Sequence, residues 1–282
     1  MARLYAIDGR ALIAIKGEDA THFLQNLITL DLAELKDDEV RPAALLTPQG
    51  KVAYPFLISR IEKGFLIDTE DHRSDDLATR FNLYRMRAKV SVEKLDQTHV
   101  ALGVDVDNGL TDRRFPAPEN VHRLYGADAD GAPADADAVT ELRIRHCVPE
   151  ADKDYTVGEA FAFDILLDQL GGLSLRKGCF VGQEVVSRMY HRGTARRRIV
   201  QITADSNLPE GGTPLIADEK PVGELGTVSG QSGLAMVRID RVAAALGKTL
   251  PILADETPVQ IAVPDRFSFS IEPAAPNEAS EA

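Results

Sequence analysis

The sequence predicts an α+β protein that closes with a small antiparallel β-barrel. Three observations carry this. Through the N-terminal third, the hydrophobic period switches repeatedly between the strand value of two and the helix value of three to four. A low-complexity acidic stretch, "ADADGAPADADAV" at 127–139, then interrupts the pattern as an exposed loop. From about residue 196 the texture becomes short alternating runs separated by Gly and Pro turns, as in a barrel. The expected organisation is an α+β region over 1–195, with an acidic loop at 127–138, a barrel over 196–270 and a disordered tail over 271–282.

The elements follow in order. "RALIAI" alternates as a strand. In "GEDATHFLQNLITLDL", Ala20, Phe23, Leu24, Leu27 and Ile28 share one helical face, and Glu18 and Asp19 suit a first turn. "RPAALLT", "VAYPFLISR" and "GFLID" read as strands around a "PQGK" turn, with Pro55 marking an edge or bulge. "SDDLATRFNLYRMRAKV" reads as a helix capped by Ser74, with Leu77, Phe81 and Tyr84 on one face and Arg85, Arg87 and Lys89 at its negative end. "AKVSVEKL", "THVALGV" and "TELRIRHCV" read as strands, and Cys147 as a strand core position. "GEAFAFDILLDQLGG" reads as a helix closed by Gly171 and Gly172. In the barrel, the glycines of "GELGTVSG" read as turn glycines.

Composition removes several function classes. Thirty-two basic against 44 acidic residues give a net charge of −12, which argues against nucleic-acid or anionic-membrane binding. No apolar run approaches a membrane span, and "MARLYAIDGRALIAIKG" has neither a secretory nor a transit pattern. Two cysteines, Cys147 and Cys179, make no disulfide framework and fall short of the four that hold a cluster. A cytoplasmic, reducing location is expected. Neither a Rossmann fingerprint nor a P-loop occurs, and the six histidines show no zinc spacing, so no metal site is expected.

The stretch "KGCFVGQE" at 177–184 concentrates the chemistry. Arg176 and Lys177 precede Cys179, and Gly178 and Gly182 permit close backbone approach. A helix starts just beyond in "QEVVSRMY". A thiol beside two cations and a helix N-terminus is expected to react as thiolate, whereas a lone cysteine can equally be an inert core residue. An acid-free run from Val185 to Ala204 follows, with Arg188, Arg192, Arg196, Arg197 and Arg198. It reads as a local anion site or as a solvated face.

Together "LGGLSLRKGCFVGQEVVSRMYHRGTARRR", "IKGEDATHFLQNLITLDL", "LLTPQGKVAYPFLISR" and "SGLAMVR" resemble the YgfZ family of folate-binding, iron–sulfur cluster assembly or repair proteins, relatives of the glycine cleavage aminomethyltransferase (T-protein). The resemblance covers most of residues 1–265 in order. It implies a T-protein-like fold around a tetrahydrofolate cavity, with Cys179 as the functional thiol beside Lys177, and Gly178, Gly182, Gln183 and Glu184 carried over by motif. Arg85, Arg87, Arg192 and Arg197 suit the carboxylates of folate. Implied partners are folate and iron–sulfur client enzymes or assembly proteins. Where the T-protein carries acids beyond its hairpin turn, this chain has Tyr54 and Pro55, so aminomethyl transfer is not expected. A folate-dependent one-carbon transferase or demethylase, or a folate-independent thiol redox module, stand as alternatives.

Overall fold

The computed structural model describes residues 2–96 and 99–271. The chain folds as two compact units. The first comprises Met1–Val139, Val157–Ala162 and Leu167–Arg188, the second Thr140–Thr156, Phe163–Leu166 and Met189–Ala282. The second unit therefore takes in three stretches upstream of the 196–270 barrel, the last beginning at Met189. Of the tail expected over 271–282, Ile271 packs against the barrel core, and 272–282 lie outside the described residues.

The first unit is built on β1 (Arg3–Ala6), β2 (Arg10–Lys16), α1 (Ala20–Gln25), β3 (Glu39–Leu46), β4 (Val52–Ile61), β5 (Gly64–Glu70), α2 (Asp71–Arg85), β6 (Ser91–Lys94), β7 (Val100–Val104), β8 (Leu110–Asp112) and β9 (Val121–Tyr125). They form a nine-stranded sheet in the order β1-β7-β9-β8-β3-β4-β5-β2-β6. All neighbours are antiparallel except β3 and β8. Alternate residues of the central strands share one face: Ile13 and Ile15, Ala43 and Leu45, Tyr54, Phe56 and Ile58, Phe65 and Ile67. Phe23 and Leu24 of α1 and Leu77 and Phe81 of α2 join that same cluster, completing one core. Phe81 meets Phe23 and Phe56 edge-on, at centroid distances of 6.2 and 6.3 Å.

Four expectations in this unit change. Ser74 does not cap α2; the helix begins three residues earlier, and the buried Ser74 hydroxyl donates to the Asp71 carbonyl. Tyr84 leaves the buried face and is 37% exposed. Near α1, Asp19 precedes the helix and accepts from the Lys89 amide instead of bonding its own first turn. Pro55 lies on an interior strand, but the rungs from β4 to β5 begin only at Leu57, so its missing N–H breaks no pairing there.

In α3 (Ala136–Arg145), the strand expected for "TELRIRHCV" becomes a helix. The acidic stretch supplies its start: the Asp135 carboxylate accepts from the Ala138 amide. Asp137 lies in the first turn, with Arg143 and Arg145 in the last. Cys147 follows it in a left-handed conformation at φ 50°, so it is a core residue but not a strand residue. "GEAFAFDILLDQLGG" forms turns, not a helix. Its backbone serves β4 instead, since Gly158 donates to the Val52 carbonyl and Val52 to that of Ala160.

After α4 (Gln183–Arg192), the second unit holds β10 (Arg197–Thr203), β11 (Pro214–Ala217), β12 (Lys220–Ser229), β13 (Ser232–Arg238), α5 (Ile239–Gly247), β14 (Ile252–Ala254) and β15 (Thr257–Ala262). The six strands close as a barrel in the order β10-β13-β12-β11-β14-β15. Val200, Ile202, Leu215, Leu225, Ala235, Val237 and Val242 fill it. Gly223 and Gly226 lie within β12, not in turns, and Gly226 sits at a register shift between Leu225 and Val228.

Candidate functional site

The 177–184 stretch is held at two anchors, one of them buried. On its N-terminal side, the Lys177 side chain turns inward and its ammonium donates to the carbonyls of Ile28 and Leu30, at 2.8 and 2.7 Å. Burial pulls Lys177 down to about 8, opposed by the charge of Asp31. Phe180 is buried as well, with its ring centroid 5.3 Å from the Lys177 ammonium. On the C-terminal side Gly182 adopts φ 81°, and a Cβ there would stand 2.6 Å from the Thr47 carbonyl oxygen. Gly50 of the "PQGK" turn is its counterpart: at φ 78°, its own Cβ would meet that of Val185 at 2.8 Å. The two glycines let the turn and the start of α4 interlock. Between these anchors Cys179 is exposed.

The structure places the other expected residues as follows. Gln183 is half-buried and Glu184 exposed in the first turn of α4. Gly178 has open space where a Cβ would go, so close approach explains Gly182 but not Gly178. Arg176 is exposed, and Lys177 spends its charge on two carbonyls. Arg85 is half-buried and donates to the Val90 carbonyl, and Arg87 is exposed; both belong to the first unit. Arg192 and Arg197 belong to the second, where Arg197 lies 4.0 Å from Asp164. Of the basic run, Arg198 is buried and structural: it donates to the Phe163 carbonyl and stacks near the rings of Phe163 and Phe269. Burial pushes the Cys147 thiol well above its ordinary range, as befits an inert core residue.

One polar group was not legible beforehand. The Tyr54 hydroxyl donates to the Asp76 carboxylate and also bonds Arg80. Burial and the bond to Asp76 raise its pKa. Asp76 and Arg80 are four residues apart on α2, so the helix brings a carboxylate and a cation to one strand tyrosine. Tyr54 belongs to the same core cluster against which Val181 of the motif packs. The i, i+4 acid–base spacing was the available signal, but such pairs are common on solvated faces. Elsewhere in the unit, a cleft of about 920 Å³ is lined by Lys16, Arg60, Lys63 and Lys89 with Glu18, Asp37 and Glu62, and by none of the motif residues. Among the described residues, no group of three or more His, Cys, Asp or Glu side chains is arranged to hold a metal ion. No helix among them is long and apolar enough to cross a membrane.

Fold and site together define the class. The chain has the aminomethyltransferase T fold with a closed antiparallel barrel at its C-terminus. The glycine cleavage system aminomethyltransferase T from Bartonella henselae superposes with a TM-score of 0.76 over 94% of this chain and 86% of that one, at 14% identity. A family model described as the CAF17 C-terminal beta-barrel domain matches residues 196–269. Among individual proteins, the mitochondrial iron–sulfur cluster assembly factor IBA57 of Homo sapiens is 27% identical over 281 residues, covering 86% of this chain and 79% of that protein. The IBA57 homolog of Coccidioides immitis is 28% identical over 233 residues, or 68% of this chain, which spans 55% of that protein's length. The similar mouse protein bears the same assembly-factor name, at 26% identity.

Proposed function

We propose that this protein is a tetrahydrofolate-binding accessory factor of the YgfZ type, which supports assembly or repair of iron–sulfur clusters in client enzymes through the Cys179 thiol. The carrying observation is the exposed thiol set between the buried Lys177 and the tightly packed Gly182, in a chain whose relatives are named iron–sulfur cluster assembly factors. A thiol so placed is accessible to a protein partner while its backbone stays fixed. Arg192 and the motif's exposed Glu184 offer polar contacts to such a partner.

The residue types of the first unit fit a folate. A reduced pterin needs acceptors for its N–H groups beside an apolar wall. The Asp76 carboxylate, the Tyr54 hydroxyl and the half-buried Gln183 amide are of that kind, and the Tyr54 cluster supplies the wall. Arg85 and Arg87 are the cations suited to the glutamate carboxylates. Bound tetrahydrofolate supplies a nitrogen able to carry one-carbon units. In this reading the chain's own groups bind and orient it, and Cys179 acts after binding.

Calorimetric titration with tetrahydrofolate, under anaerobic reducing conditions, tests the ligand on wild type and Cys179→Ser. Saturable binding by both is expected; no binding by wild type would remove folate from the account. One observation favours a second reading, a folate-dependent one-carbon transferase: Asp76 sets a carboxylate beside Tyr54, where the T-protein that the chain resembles carries acids. Turnover of 5,10-methylene-tetrahydrofolate by the pure protein would establish it.

A further inference from the structure

We propose that Lys177 and Thr29 form a buried positioning device that fixes where the Cys179 thiol stands; this rests on the reading of Cys179 as the functional thiol. The segment Ile28–Leu30 is the device's fixed side. Thr29 is fully buried, and its amide donates to the Ala44 carbonyl of β3 at 3.0 Å. Its hydroxyl accepts from the Ala44 amide at 2.9 Å and donates to the Gly172 carbonyl at 2.7 Å. Its carbonyl accepts from the Ser174 amide at 3.0 Å. The flanking carbonyls of Ile28 and Leu30 then take both bonds from the Lys177 ammonium.

The stretch from Gly172 to Lys177 is thus stitched at three points onto three consecutive residues some 145 positions earlier in the chain, with |i−j| values of 143 to 149 for the side-chain bonds. The Ser174 hydroxyl adds a local brace, accepting from the amides of Arg176 and Lys177 at 3.3 and 3.2 Å. Only Gly178 and Cys179 separate Lys177 from the buried Phe180. The three steps from Lys177 to Phe180 reach at most about 11 Å when extended, so pinning both ends confines the thiol. An ammonium buried against two carbonyls is expensive to desolvate and is retained where it fixes a geometry that packing alone leaves loose. Lys177 is accordingly a positioning residue: its ammonium is turned inward onto two carbonyls, and Thr29, from the N-terminal stretch "IKGEDATHFLQNLITLDL", is its other half.

The test uses the full-length chain with a nitroxide attached at Cys179, Cys147 being buried and unreactive. Spin-label line shapes report motion of the 177–180 bridge directly. In Lys177→Met the label's correlation time is expected to fall on the order of threefold, towards that of a mobile loop, and Lys177→Arg, which keeps two donors, is expected to hold the wild-type line. Thr29→Val, close in volume, provides the second variant should Lys177→Met fail to fold, and the same narrowing is expected of it. Val242→Ala, a cavity in the barrel core of the second unit, is the control for general destabilisation. A wild-type line in both hub variants, or equal narrowing in Val242→Ala, would overturn the proposal. The line shapes do not depend on any cluster or folate, so their outcome is separate from whether Cys179 serves iron–sulfur enzymes.

Discussion

Lys177 carries a pH signature that follows from its burial. Its folded value of about 8 lies below the ordinary 10.5, so the unfolded chain binds more protons between the two. Stability therefore rises with pH across that window, and the cost of the buried charge is present in full below about 8. Urea unfolding from pH 7 to 11 should show wild type gaining on Lys177→Met through this range; parallel curves would mean that the ammonium is solvated. The motif's two glycines should differ sharply. Gly182→Ala places a Cβ 2.6 Å from the Thr47 carbonyl oxygen at φ 81° and should cost roughly 1–3 kcal/mol, whereas Gly178→Ala, facing open space, should unfold within about 0.5 kcal/mol of wild type.

Among the elements, the strands β2, β5 and β9 meet at a buried carboxylate. Asp68 accepts from Arg10 at 2.6 Å, from Arg123 at 2.8 Å and from the Tyr125 hydroxyl at 3.1 Å. Burial alone would raise its pKa, but the two guanidiniums overcome that and hold it below the ordinary 3.8. Its contribution is therefore complete above that ordinary value and is lost as pH falls through the lower folded one. Asp68→Asn should cost about 3–5 kcal/mol at neutral pH, because Arg123 stays buried without its counter-charge. Acid titration of unfolding should also show the variant lacking this last step.

Elements were legible where one period dominated. The alternation of β2 through β5 and the face Leu77–Phe81 on α2 appear in the structure as read, because each buries a single stripe. Two stretches were misread for identifiable reasons. In α3, Leu142 and Ile144 alternate like a strand, yet Asp135 and Asp137 at the start and Arg143 and Arg145 at the end suit a helix. In "GEAFAFDILLDQLGG" the apolar spacing is helical, but tertiary bonds to Val52 take its backbone.

Across the whole molecule, the α+β class and the barrel were visible in the sequence because texture changes with architecture. The site was legible in part. Cys179 and Gly182 stand out by motif, but the use of Lys177 depends on carbonyls of Ile28 and Leu30, and no local pattern reports a contact between such distant residues. The Tyr54–Asp76–Arg80 group was hidden for the same reason, since β4 and α2 meet only in the fold. Within the barrel, Leu215 is fully buried, and Leu215→Ala should cost about 2–5 kcal/mol in equilibrium unfolding.

The proposed service of Cys179 to iron–sulfur enzymes can be read directly in cells. Its most direct test replaces the native protein in cells by Cys179→Ser, at matched protein level, and assays an iron–sulfur dehydratase beside a cluster-free dehydrogenase. Dehydratase activity is expected to fall to the level of cells lacking the protein, while the dehydrogenase is unchanged. Full dehydratase activity with Cys179→Ser would contradict it.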